Sequence, residues 1–108
     1  MIKEKIFRSI LRSERAYTCY KEHKKYHQAL RIYKANIVVY NLLTEYSFIC
    51  PDSHLNKTFE YIFHLEDWFS QFKNLEKTNP KLEDNFVFEK LENSIDYPID
   101  LKNLIKPN

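Results

Sequence analysis

Apolar residues recur through most of the chain at steps of three and four, the period of a helix that buries one face. The longest apolar run extends from Ala35 to Cys50. It is too long for an ordinary strand and continues the upstream phase Leu30, Tyr33, Ile37, Tyr40 and Leu43. These positions predict a buried central helix with Ile37, Val38 and Leu42 in the core, although the β-branched triplet Ile37-Val38-Val39 favours a strand locally.

Upstream, Ile2, Ile6, Ile10, Tyr17 and Tyr20, with Phe7 and Leu11 beside them, form an apolar stripe, and Lys3, Lys5, Arg8, Arg12 and Arg15 occupy the other face. This predicts a basic amphipathic helix from Ile2 to about Tyr20. An unbroken helix from there to Phe48 would be about 70 Å long, excessive for a compact domain of this size. The polar run Lys21-Glu22-His23-Lys24-Lys25 interrupts the phase, so a break is expected between residues 21 and 27.

Pro51 ends the central helix, and Asp52 or Ser53 is expected to cap the next one. That third helix is predicted from about His54 to Lys77, with a stripe of Leu55, Phe59, Ile62, Leu65, Phe69 and Phe72 widened by Tyr61, Trp68 and Leu75. Asn79-Pro80 suits the start of a fourth helix to about Ser94, and Asp100 a final turn carrying Leu101, Leu104 and Ile105. The expectation is a single all-α domain over residues 1–108, a compact bundle of about four helices with a short C-terminal helical turn.

The segment Tyr26-His27-Gln28-Ala29-Leu30-Arg31-Ile32-Tyr33-Lys34-Ala35, preceded by Tyr20, resembles the helical hairpin of a tetratricopeptide repeat. The resemblance covers under a quarter of the chain, lacks the turn glycine where Lys24 stands, and has no second copy at the ~34-residue period. It implies a hairpin packed in a similar way.

Composition strengthens the helical reading. The chain contains no glycine, which excludes Gly-rich nucleotide loops and disfavours tight β-hairpins. Two cysteines, Cys19 and Cys50, stand far apart and in no metal spacing. With no signal-peptide pattern and no apolar run of the ~18–20 residues a membrane span requires, they fit free thiols in a cytoplasmic protein. The 17 aromatic residues include eight tyrosines, amphipathic rings suited to the rim of a core or to an interface, including that of a homodimer.

Charge is unevenly placed. Residues 1–34 hold ten Lys or Arg against three Glu, a net of +7, whereas residues 55–108 hold seven Lys against ten acids, a net of −3. The near-neutral total of +2 therefore hides a basic N-terminal third capable of steering the chain to an acidic partner.

No set of residues announces catalysis. His23 and His27 lie one helical turn apart but beside three lysines, and Glu60, His64 and Asp67 have ligand-like spacing without the paired Glu-x-x-His repeats of a di-iron bundle. No nucleophile elbow accompanies any serine or cysteine. The expectation is a non-enzyme without cofactor or metal. With no catalytic set or cofactor motif, abundant aromatics and separated charge of the kind that orients association, the expectation is a small protein that docks charged helical faces on a partner protein, as inhibitors, immunity proteins, phage antagonists and adaptors do; by size and bundle it is similar to bacteriocin-immunity proteins. The alternative is a nucleic-acid-binding protein using the basic N-terminal helix. The residues expected to carry partner contact are Arg8, Arg12, Arg15, Lys24 and Lys25 with Tyr17 and Tyr20, and, on a second acidic surface, Glu60, Glu66 and Asp67.

Overall fold

The computed structural model describes residues 2–23 and 25–78, and these are helical apart from two short connections. Helix α1 spans Ile2–His23, α2 Tyr26–Ser47 and α3 Asp52–Thr78. The expected all-helical class holds, and no strand forms at Ile37-Val38-Val39. The predicted fourth helix and final turn lie outside the described residues. The helices run up, down and up, and α2 packs against both α1 and α3. The described residues span 45 × 23 × 19 Å, a long axis set by the 27 residues of α3, about 40 Å at 1.5 Å per residue.

Local chemistry explains the boundaries. The break in the polar run falls within the expected window: Lys25 adopts an extended conformation (φ −95°, ψ 146°), and its carbonyl accepts hydrogen bonds from the amides of Gln28 and Ala29. At the end of helix α2 the C-cap residue is not left-handed. Phe48 stays right-handed (φ −82°), and the amides of Phe48, Ile49 and Cys50 donate back to Glu45 and Tyr46 carbonyls. Ser47 Oγ donates to the Thr44 carbonyl at 2.6 Å. Such a tightened last turn needs no positive φ, so a glycine-free chain can make it. Pro51 then supplies the carbonyl that accepts from the His54 amide. The helix starts at Asp52, so the expected capping role of Asp52 or Ser53 falls instead to the Pro51 carbonyl, and Asp52 places its charge in the positive first turn.

Two apolar clusters fill the interior. One joins Ile6 and Ile10 to Val39, Leu43 and Tyr46 and to Tyr61, Ile62 and Leu65. The other joins Tyr20 to Ala29 and Ile32 and to Trp68 and Phe72. Trp68, 1% exposed, packs its ring 5.4 Å from Phe72, 5.6 Å from Phe69 and 6.0 Å from Tyr33. Aromatic pairs at these spacings add about 0.5–1.5 kcal/mol beyond area burial.

Between the clusters sits a polar pin. Ser13 and Asn36 are both buried, and Ser13 Oγ donates to Asn36 Oδ1 at 2.6 Å. A buried amide is tolerated only when hydrogen-bonded, so this contact favours one register of α1 against α2. Two further bonds tie α2 to α3. The Tyr46 hydroxyl meets His54 Nδ1 at 2.9 Å, and the Tyr26 hydroxyl donates to Glu76 Oε2, whose other oxygen lies 3.3 Å from Lys73 Nζ. The Glu76 carboxylate, then burial, push the Tyr26 phenol up to about 12.

The buried phase of α2 differs from the predicted one. It follows Ala29, Ile32, Asn36, Val39, Leu43 and Tyr46, so the stripe is rotated by about one residue and shares only Leu43 with the expectation. Val38 is 45% exposed, and Ile37 and Leu42 are half-buried. The expectation that these three are core is therefore corrected: the buried stripe runs through Asn36, a polar residue that apolar periodicity does not select. On α3 the predicted stripe is largely met: Ile62, Leu65 and Phe72 are buried with Tyr61, Trp68 and Thr58, whereas Phe59 is 40% exposed and stacks on Phe63 at the surface.

Candidate interaction groove

The basic face of α1 meets a second basic row on α2. Arg12 and Arg15 are three residues apart on α1, as are Arg31 and Lys34 on α2, and a spacing of three keeps each pair on one side of its helix. The antiparallel register around Ser13 and Asn36 brings the two rows to opposite walls of one groove of about 460 Å³. Its floor is small and apolar: Ala16 and Ala35 lie one turn beyond Arg12 and Arg31, and Val38 one turn beyond Lys34. Ser9 and Cys19 mark its extent along α1, and α3 contributes none of the lining.

All four cationic residues are exposed, and among the described residues none forms an ion pair with an acid. No lining residue is acidic and none is aromatic. Four like charges over an apolar floor make a site that attracts anionic groups and gains further from apolar ones. Among the described residues no three His, Cys, Asp or Glu side chains gather to hold a metal ion. Cys19, exposed, and Cys50, half-buried, are both free thiols.

The structure brings together only part of the predicted contact set. Arg12 and Arg15 line the groove. Arg8, one turn before Arg12, lies outside it and is paired with Glu4. Lys25 is exposed at the start of α2, and Lys24 lies outside the described residues. Tyr17 is half-buried, stacked at 6.5 Å on Tyr20 with Lys21 Nζ 4.8 Å from its ring. Tyr20 is fully buried, so its expected partner contact is corrected to a core role. Glu60, Glu66 and Asp67 are exposed on α3, where Lys57 approaches Glu60 to 3.6 Å and Gln71 donates to Asp67 at 2.6 Å. They share no ion pair with the groove cations among the described residues.

Sequence reasoning missed Arg31, Lys34 and the floor. The available signal was an i, i+3 pair of cations with an alanine one turn on, present in both helices. Converting it into a groove required the register between them. None of the described helices is long and apolar enough to cross a membrane. No protein-family model matches the chain, nor does any curated protein or solved structure.

Proposed function

We propose that the protein is a small non-catalytic module that binds another protein, and that the groove between α1 and α2 is its docking surface. The observation that carries this reading is the set of four cations, without acid partners among the described residues, gathered around an apolar floor. Charges so placed speed and orient association, and the floor supplies the apolar contact that gives affinity. An inhibitor, antagonist, immunity protein or adaptor needs no more than such a surface on a rigid helical frame. Nucleic acid is the weaker reading. Single strands are held by basic grooves furnished with aromatic rings, and this groove has none.

The test is a photoreactive residue placed at Val38 in the full chain, exposed to extract of the native host with and without nuclease treatment, with the same residue at Phe63 on α3 as control. A protein adduct at position 38 and not at 63 is expected. An adduct that vanishes with nuclease, or protein capture at position 63 alone, overturns the assignment.

A further inference from the structure

We propose that the groove receives an acidic amphipathic α-helix of the partner protein, about three turns long, laid along the α1–α2 seam. This rests on the groove being the docking surface, and it states what fits there. From Ser9 to Cys19 the groove follows eleven residues of α1, about 15 Å between the first and the last at 1.5 Å per step. That is the length of a short helix rather than of a single side chain or a small anion.

The floor selects a helix. Ala16 and Ala35 end in single methyl groups, so a third helix can approach the pair at the 8–10 Å separation typical of packed helices. Val38, 45% exposed, offers the largest apolar contact on the floor and calls for apolar side chains at helical spacing on the occupant. An extended peptide would need a strand edge to pair with, and the backbone groups of α1 and α2 are already bonded within their own helices. A proline-rich segment would need an aromatic-lined groove, which this is not.

The walls select the charge. Arg12 and Arg15 stand on one side and Arg31 and Lys34 on the other, so carboxylates are wanted on both flanks of the occupant's apolar stripe, spaced by three or four residues. The three arginines can grip carboxylates with two parallel hydrogen bonds each, which rewards a fixed helical presentation over a diffuse acidic tail.

The experiment is selection of displayed helix-favouring peptides of about 12 residues, all outward positions randomised, on the whole protein at about 0.15 M salt. The expected winners carry Asp or Glu on both sides of an apolar ridge. Their affinity should fall at least roughly tenfold, about 1.4 kcal/mol, for the double variant Arg12→Glu/Lys34→Glu and for Val38→Glu. All three sites are exposed, so helical circular dichroism should be unchanged. Winners without acidic bias, proline-rich winners, an empty selection, or binding indifferent to these substitutions overturns the helix assignment while the position-38 cross-link still supports protein docking. A cross-link that is lost with nuclease, accompanied by oligonucleotides displacing every peptide, overturns the docking reading itself.

Discussion

Replacing Ser13 with alanine removes one oxygen from the interior and leaves Asn36 Oδ1 without its 2.6 Å donor. Ser13 is fully buried and Asn36 is 1% exposed, so water cannot substitute without opening the α1–α2 seam. Stripping a partner from a buried polar group costs about 1–3 kcal/mol. Asn36→Leu removes the amide while keeping the same branching of heavy atoms, with two methyl groups bulkier than the amide oxygen and nitrogen, and leaves the Ser13 hydroxyl free to turn to its own helix backbone, as Ser9 does to the Lys5 carbonyl at 2.9 Å. Asn36 makes further interactions, so this change should also cost about 1–3 kcal/mol. The double variant Ser13→Ala/Asn36→Leu contains neither polar group, and apolar replacement of both partners can be close to neutral. Its loss should therefore be smaller than the sum of the single losses by about 1 kcal/mol. Urea denaturation followed by fluorescence of Trp68, the chain's one tryptophan, measures this directly; in a thermal scan the same coupling is worth about 4–8 °C. Strictly additive losses, with coupling below about 0.3 kcal/mol, would refute the claim that these residues act as one pin.

Three other outcomes follow from the packing. Val38→Asp should change stability by less than about 0.5 kcal/mol, whereas Val39→Asp, next in sequence but fully buried, should cost more than about 4 kcal/mol and unfold the helices by circular dichroism; equal effects would mean the rotation of α2 is wrong. Because the Tyr26 phenol is pushed up to about 12, the native state keeps a proton that the unfolded chain releases near pH 10. Its contribution to stability is present below pH 10 and is lost as pH rises toward 12, and Glu76→Gln should bring the last step of the tyrosinate absorbance titration down. Tyr46→Phe should cost about 0.5–1.5 kcal/mol for the bond to His54 Nδ1, and less when His54 is already alanine.

Helical class and element boundaries were legible because they depend on near neighbours in the chain. The polar run at Lys21–Lys25 cannot continue a buried stripe, and Pro51 cannot continue a helix. The rotation of α2 was not legible, because it depends on Ser13 forming a bond with Asn36, 23 residues away. Read alone, the run from Ala35 to Cys50 is apolar on nearly all sides, so Val38 reads as core. The same distinction governs the site. Arg12 and Arg15 stood out as the polar face of one amphipathic helix, but joining them to Arg31 and Lys34 needed the contact between helices. Tyr20 shows the opposite error: a tyrosine suits an interface by its chemistry, yet with Ala29, Ile32, Trp68 and Phe72 around it, it is core.

The central claim is that the groove cations, rather than basic charge at large, carry docking. Arg8 and Arg12 separate the two ideas, since both are exposed on α1 one turn apart and only Arg12 lines the groove. Affinity for the protein captured at position 38 should fall roughly tenfold or more for Arg12→Glu and for Arg31→Glu, on opposite walls, and by less than about threefold for Arg8→Glu. Equal losses for all three would mean a diffuse electrostatic patch, and undiminished binding by Arg12→Glu and Arg31→Glu would contradict the groove outright.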